Sequence, residues 1–421
     1  MKKSAIPASQ REKIEKMDAT IKNIIAKNNN SPQVDFKNTE NAFAYKTDDQ
    51  LRKAAWLFGL MNKPWLVGIG SKIGLAAIRM HLPFVTSIVK ATIFDQFCGG
   101  TSLEKSVPKI EDLYNYGSQT ILDYGAEGKE TEEDFDGTMN EALKAARFAE
   151  AQASVPIIVT KISGMARHEL LEAIQADEYY SPSLQEEYQR VLQRLHTICA
   201  YASERNVGVF FDAEETWIQD AIDQLVTMMM EKYNQERVIV YNTFQMYRHD
   251  RLKFLKKSHA RAVAKGYMLG AKLVRGAYMD KERERAKEKG YPSPIQPDKA
   301  ATDRDYNDAV RFVVANYEKI ASCNASHNAE SSLLQAQLIT DKGIDRNHPH
   351  LNFCQLYGMS DHITFNLSKA GYNVAKYVPY GTVREVVPYL IRRAQENSSV
   401  TGDMTREHKL VLTEMKRRGL I

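Results

Sequence analysis

The pattern of apolar and polar positions changes near residue 110. Beyond this point, short runs of β-branched and aromatic residues alternate with longer amphipathic stretches, which indicates repeated strand–helix units. Eight runs are predicted as strands, at 118–124, 155–161, 207–212, 238–242, 271–275, 320–325, 351–356 and 373–378. Several are almost continuously apolar, as parallel strands covered on both faces are. Eight such repeats predict an α/β fold of the (βα)8 barrel type.

An open, doubly wound sheet is the alternative architecture. It would concentrate functional residues at one switch point, whereas a barrel collects them from many strands at one face. The polar residues favour the barrel, because they are predicted at or just after the ends of seven different strands: Glu127, Lys161, Asp212, Gln245, Arg275, His327 and Tyr377.

The chain is predicted to have three parts: a helical arm at 1–110, the barrel at 111–402 and a C-terminal helix at 403–421. Residues 167–180 are predicted as a loop or short helix over one rim of the barrel. Thr382 and Glu385 have the spacing of a capping box, so a helix should begin directly after the eighth strand.

Composition and charge exclude several classes of protein. The 421 residues include 57 Lys and Arg against 53 Asp and Glu, a net charge of +4 that gives no electrostatic footprint for nucleic acid. The four cysteines are far apart and predict neither a disulfide framework nor a metal site. The N-terminus lacks the apolar core of a signal peptide, and charged residues interrupt the apolar region at 56–94. A cytoplasmic protein is therefore expected.

One glycine motif resembles a dinucleotide-binding fingerprint but does not satisfy it. The third glycine, Gly74, comes four positions after Gly70 instead of three, and Pro-Phe-Val-Thr at 83–86 follows where an acidic strand end is required. We interpret this region, with the basic segment 72–90, as an amphipathic helix. It either packs on the barrel or contacts a membrane surface.

Arg392 and Arg393 lie on the helix predicted after the eighth strand. Two adjacent guanidinium groups near a barrel mouth could bind a small carboxylate through bidentate hydrogen bonds. On an ordinary outer helix Arg392 would instead face solvent, with Glu396 as a partner four residues further on. The carboxylate interpretation requires the helix to lie over the mouth.

The motif around these arginines is specific. The run Tyr-x-Pro-Tyr-Gly at 377–381, followed by Pro-Tyr-Leu-x-Arg-Arg-Ala-x-Glu-Asn at 388–397, resembles proline dehydrogenase, particularly its single-activity, eukaryotic-like branch. Further matches occur in the same order across 92–400, and include Thr-Lys-Ile-Ser at 160–163, Phe-Asp-Ala-Glu-Glu at 211–215, Lys-Leu-Val-Arg-Gly-Ala-Tyr at 272–278 and Ser-His-Asn at 326–328.

The resemblance implies a distorted (βα)8 barrel that binds FAD without a Rossmann domain. The implied reaction, the first step of proline catabolism, oxidises L-proline to Δ1-pyrroline-5-carboxylate by hydride transfer from proline C5 to flavin N5. The resemblance also implies that a quinone reoxidises the flavin, so peripheral contact with the inner face of a bacterial membrane is expected. No aldehyde dehydrogenase domain or DNA-binding arm is recognised, so the product should pass to a separate pyrroline-5-carboxylate dehydrogenase.

The resemblance also assigns roles to individual residues. Lys161, Arg392 and Arg393 should bind the proline carboxylate, and Tyr278, Leu356 and Tyr377 should pack around the ring. Asp212 should join the same polar network, and Glu127 should act as a gate over bound substrate. The expected FAD-binding residues are Gln245, Lys272, Arg275, Ser326, His327, Asn328, Glu396 and Ser399. A large residue at Tyr377 indicates proline rather than hydroxyproline.

Two other functions are considered. A different flavin barrel, such as a methylenetetrahydrofolate-reductase-like protein, would need a nicotinamide or folate site. A catalytically inactive flavoprotein would bind proline analogues without being reduced. The sequence singles out neither a metal site nor a base for the substrate amine.

Overall fold

The computed structural model describes residues 34–62, 87, 89–124, 130–178, 181–386, 389–390 and 403–421. The chain divides into two compact units. Residues 1–126 and 354–421 form the terminal unit, and residues 127–353 form the central unit. The terminal unit is therefore assembled from segments that are distant in sequence.

Eight strands form a closed barrel in which neighbours follow one another in chain order. They are β1 Gln119–Tyr124, β2 Ile157–Thr160, β3 Gly208–Phe211, β4 Val240–Gln245, β5 Leu269–Val274, β6 Ile320–Ala325, β7 Leu351–Leu356 and β8 Asn373–Tyr380. The pairing is parallel, so the predicted (βα)8 fold is confirmed. The bounds of β6 and β7 are those predicted, and the other strands differ from their predictions by one to three residues at an end.

β8 is longer than predicted, which corrects the expected position of Tyr377. The sequence placed Tyr377 at the end of its strand, but pairing with β1 continues until Tyr380 lies opposite Tyr124. Pro379 has no N–H to donate, yet its carbonyl accepts a hydrogen bond from Gly99 N–H at 2.8 Å. Tyr377 therefore lies within the strand and not at its end.

Helices follow the strands as the repeats predict. The terminal unit contains α1 Thr39–Phe43, α2 Asp48–Met61, α3 Leu103–Asn115, α12 Asp361–Lys369 and α13 Asp403–Arg417. The central unit contains α4 Glu132–Glu150, α5 His168–Gln175, α6 Pro182–Arg205, α7 Thr216–Tyr233, α8 Arg251–Lys265, α9 Met279–Lys289, α10 Lys299–Ala315 and α11 Ala329–Asp341. Residues 167–180 were predicted as a loop or a short helix, and α5 shows that the segment contains a short helix.

Helix α2 joins the core of the terminal unit through its apolar face. Leu57 and Phe58 belong to one buried cluster with Val411 and Met415 of α13. None of the helices in the described ranges is long and apolar enough to cross a membrane. The glycine motif at 68–74 and most of the segment 72–90 lie outside the described residues. The predicted boundaries of the three parts remain a prediction.

Glu407 of α13 is a buried carboxyl group, 2% exposed. Ser360 Oγ donates a hydrogen bond to its Oε1 at 3.4 Å, and Arg406 lies at the same distance from that oxygen. Burial raises the pKa of Glu407 to about 7; Arg406 and Lys376 act to lower it, whereas Asp361 raises it further. The folded protein therefore favours the protonated form of this group.

Replacing Glu407 with Gln should remove a pH-dependent contribution to stability. A carboxyl group with a raised folded-state pKa contributes fully below its ordinary pKa of 4.5, and this contribution is lost as the pH rises through about 7. The free energy of unfolding of wild type, relative to Glu407→Gln, should fall by up to about 3 kcal/mol across that interval. Urea denaturation at several pH values measures the difference.

Glu288→Gln, at an exposed position on α9, is the matched control and should show no such change. A wild-type and Glu407→Gln difference that stays constant with pH would contradict the assignment.

Candidate active site

An ion pair joins two predicted site residues of the central unit. Lys272, within β5, donates a hydrogen bond from Nζ to Oδ1 of Asp212, directly after β3, at 2.5 Å. The side chains are 6% and 18% exposed, respectively. Because a buried ammonium group needs a neutralising partner, Asp212 stabilises Lys272 in this position. The sequence assigned these residues to different roles, and the structure brings them together.

A second cationic group lies where β5 and β6 end. Arg275 donates hydrogen bonds to Oγ of Ser326 at 2.7 Å and to Oγ of Ser331 at 3.0 Å. Ser326 Oγ also accepts the N–H of Asn328 at 3.1 Å. The side chain of Asn328 in turn caps the first turn of α11 by accepting the N–H of Ser331. A guanidinium group, hydroxyl groups and a helix N-terminus are thus brought together.

Asp303 is an acidic partner of this cluster that the sequence did not single out. Its Oδ1 accepts a hydrogen bond from Arg275 Nε at 2.7 Å, and Lys299 pairs with its other oxygen. Burial acts to raise the pKa of Asp303, but hydrogen bonds from Lys299 and Arg275 outweigh this effect and lower it. Asp303 therefore holds the arginine as an ionised partner.

Gly276 explains how the chain turns between Arg275 and Tyr278. It has a φ of +130°, and a Cβ at this position would lie 2.4 Å from the ring of Tyr247. Only glycine combines this backbone conformation with so close an approach. The half-buried Tyr278 then directly precedes α9.

Lys161, Gln245 and His327 also follow or end strands of the central unit. Lys161 follows β2 and directly precedes a one-turn 3₁₀ helix, Ile162–Gly164. Gln245 is the last residue of β4, and its Nε2 donates a hydrogen bond to the carbonyl of Glu214 at 2.8 Å. His327 is half-buried between Ser326 and Asn328.

In the terminal unit, a buried lysine supports Leu356 and Tyr377, two of the three predicted ring-contact residues. Lys376 precedes Tyr377 in β8 and is 0% exposed. Its Nζ donates to the carbonyls of Met359 at 2.5 Å and Leu356 at 3.4 Å, and lies 2.8 Å from Oδ1 of Asp361. Strand β8 and the turn after β7 are therefore held together by one ammonium group.

Asp361 receives further partners from the N-terminal segment. Tyr45 donates its hydroxyl hydrogen to Oδ2 at 2.8 Å, and Lys46 lies 3.8 Å from the same oxygen. Burial acts to raise the pKa of Asp361, but Lys376 and Lys46 lower it, so the carboxylate form is favoured. The preceding residue, Ser360, has a left-handed backbone with a φ of 51°.

The described residues thus include eleven of the predicted site residues. Glu127, Arg392, Arg393, Glu396 and Ser399 lie outside them. The sequence missed Glu214 and Lys376, although Glu214 belongs to a recognised motif and Lys376 directly precedes one. No local signal separates Glu214 from Glu215, or shows that Lys376 is buried, because the partners come from other elements.

A closed (βα)8 barrel with ionisable groups around its strand ends is typical of barrel enzymes. A family model described as proline dehydrogenase matches residues 106–406. Mitochondrial proline dehydrogenase 1 of Arabidopsis thaliana is 32% identical over 423 residues, covering 88% of this chain and 84% of that protein. The chain belongs to the proline dehydrogenase family.

Two further matches cover less of the other protein. Mitochondrial proline dehydrogenase 1 of Drosophila melanogaster is 39% identical over 247 residues, covering 56% of this chain but only 36% of that protein. The crystal structure of proline utilization A from Bdellovibrio bacteriovorus, inactivated by N-propargylglycine, has a TM-score of 0.68 and 19% identity. It covers 94% of this chain and 44% of the solved chain, and supports the fold.

Replacing Lys376 with Met should destabilise the protein strongly, because Asp361 would lose its closest cation inside the core. Breaking one side of a buried ion pair costs about 3–5 kcal/mol. Adding Asp361→Asn should recover part of this loss, since it removes the uncompensated charge. Urea denaturation of both single variants and the double variant measures the coupling. If the losses in free energy of unfolding of the two single variants simply add up in the double variant, Lys376 and Asp361 do not stabilise each other and the prediction is contradicted.

Proposed function

We propose that the protein oxidises L-proline to Δ1-pyrroline-5-carboxylate with FAD as cofactor and a quinone as final electron acceptor, the first step of proline catabolism. Family membership supports the substrate. The observation that carries the cofactor is the cluster of Arg275, Ser326 and the N-terminus of α11. FAD bound there would accept the hydride that leaves proline C5 at its N5 atom.

The donors of this cluster fit the pyrophosphate of FAD. A guanidinium group and hydroxyl groups supply hydrogen bonds to phosphate oxygens, and the N-terminus of a helix favours negative charge. Lys272, Gln245, His327 and Asn328 are proposed to complete the binding site. Glu396 and Ser399, outside the described residues, are assigned to it by the resemblance.

Lys161, Arg392 and Arg393 are proposed to bind the carboxylate of proline. Charge-assisted hydrogen bonds from two or three cations would fix the orientation of the ring and restrict its approach to the flavin. Asp212, paired with Lys272, would balance positive charge nearby. Glu127 is proposed to close over the substrate by pairing with one of the arginines.

Tyr278, Leu356 and Tyr377 are proposed to surround the proline ring. Apolar and aromatic side chains exclude water from the path of a hydride. Tyr377 is almost fully buried in β8. Its bulk would leave little room for an added hydroxyl group, so we propose proline as the preferred substrate over hydroxyproline.

Anaerobic addition of L-proline to the purified flavoprotein should bleach the visible absorbance of oxidised flavin, because the ring donates a hydride. A soluble quinone added afterwards should restore the absorbance. NADH should have no effect, and trans-4-hydroxy-L-proline should reduce the flavin more slowly than proline. Reduction by NADH would favour a methylenetetrahydrofolate-reductase-like enzyme, and no reduction by proline would favour an inactive flavoprotein.

Arg392→Met and Arg393→Met should each raise the KM for L-proline by about tenfold or more, because each removes a charge-assisted hydrogen bond. Bound FAD should be retained in both variants. Steady-state kinetics and the flavin spectrum measure the two effects. The matched control is Arg384→Met, which replaces an exposed arginine shortly before Arg392 in the sequence and should leave KM unchanged. Normal kinetics in both test variants would contradict the carboxylate role.

The remaining proposals concern partners and location. Reoxidation by a membrane quinone would require peripheral contact with the membrane, on the cytoplasmic side of a bacterial inner membrane. The product would be taken up by a separate pyrroline-5-carboxylate dehydrogenase.

A further inference from the structure

Glu214 is a buried carboxyl group that lies two residues after Asp212 in the loop after β3. Its side chain contacts the neighbouring loop after β2. Oε1 accepts a hydrogen bond from the backbone N–H of Ser163 at 3.0 Å, and Oε2 accepts one from the hydroxyl of the same serine. Both carboxyl oxygens are thus used to hold one residue of the 3₁₀ turn Ile162–Gly164.

That turn begins immediately after Lys161, the lysine proposed to bind the substrate carboxylate. Burial raises the pKa of Glu214, and the positive charge of Lys161 acts to lower it. The carboxyl group of Glu214 therefore interacts electrostatically with Lys161 and also accepts hydrogen bonds from Ser163, two residues after that lysine. Glu215, the other charged group that affects Glu214, pairs with Lys281 on α9.

The main chain of Glu214 is fixed as firmly as its side chain. Its N–H donates to Oε1 of Gln219 at 2.6 Å, and Gln219 donates in turn to Asp223 at 2.9 Å. Asp223 also accepts hydrogen bonds from Asn242 and Arg251. Because these partners come from α7, β4 and α8, Glu214 is anchored to the framework of the central unit.

The carbonyl of Glu214 completes the arrangement by accepting Nε2 of Gln245 at 2.8 Å. One residue thereby connects the loop after β2, the loop after β3 and the end of β4. Its side chain acts on the loop that carries Lys161, whereas its main chain acts on Gln245. Side-chain substitutions can therefore separate the two effects.

We propose that Glu214 is a positioning residue that holds Lys161 in place for the substrate carboxylate by anchoring the turn after β2. The inference rests on the proposed function, since it assumes the carboxylate-binding role of Lys161. It gives Glu214 no contact with the reacting atoms. Its effect should appear in the binding of the acid group of the substrate.

Glu214→Ala should raise the KM for L-proline about tenfold while kcat changes little. The reason is that the turn after Lys161 loses the carboxyl group that accepts two hydrogen bonds from Ser163. Glu214→Gln keeps an oxygen that can accept the N–H of Ser163, so its KM should rise less. FAD content and the flavin spectrum should stay normal in both variants, since Gln245 is held by the main chain. Calorimetric titration with tetrahydrofuran-2-carboxylate, a proline-shaped acid without an amine to oxidise, should show the same order of affinity losses.

Ser163→Ala tests the route of the effect. If Glu214 acts through Ser163, this variant should weaken binding in the same direction, and the double variant Ser163→Ala/Glu214→Ala should be no worse than Glu214→Ala alone. Glu215→Gln is the matched control, because the carboxylate of Glu215 pairs with Lys281, whose side chain is 59% exposed, and not with Ser163 in the contacts that hold the turn. This control should retain wild-type KM.

The outcomes separate this inference from the proposed function. If L-proline does not reduce the wild-type flavin, the proposed function fails. If wild type is reduced normally and the Glu214 and Ser163 variants keep wild-type KM and analogue affinity, the positioning role alone is overturned. A parallel loss of FAD and proline binding would show a general structural role and would also overturn it. Should Glu214→Ala not fold, Glu214→Gln and Ser163→Ala decide the question.

Discussion

A lysine ammonium group that is withdrawn from water must be neutralised and hydrogen bonded, and Lys376 imposes this condition on the terminal unit. Its partners are a carboxylate at the start of α12 and two carbonyls, one at the end of β7 and one in the turn after it. The same carboxylate binds Tyr45 from the N-terminal segment. Strand, turn, helix and N-terminal segment therefore have to form together, because none of them alone satisfies the buried charges.

The central unit contains a comparable arrangement around Glu214. In both units, a residue proposed to contact the substrate is supported by a buried charged group: Tyr377 directly follows Lys376, and Glu214 binds Ser163, two positions after Lys161. The charged neighbour is tied to several elements by hydrogen bonds. This organisation separates two tasks, because the proposed contact residue can suit the substrate while its neighbour restricts the backbone.

The periodicity of the sequence predicted the eight strands and the barrel, since buried parallel strands have a strong local signature. The end of β8 was placed too early, at Val378 and directly before Pro379, a residue type that usually interrupts strand pairing. The supporting contacts could not be predicted, since they join residues that no local pattern relates. Tyr45 and Asp361 belong to segments far apart in the chain, and Arg275 meets Asp303 through a helix whose placement the sequence does not specify. Family resemblance identified the candidate site residues, but not what holds them.

The pairing of α2 with α13 has a consequence for synthesis of the protein. Leu57 and Phe58 emerge from the ribosome well before Val411 and Met415, their neighbours in the buried cluster. All of the central unit is translated in the interval. The apolar face of α2 therefore stays exposed until α13 has been translated. Helices that are transiently uncovered in this way are targets for chaperones and sites of aggregation.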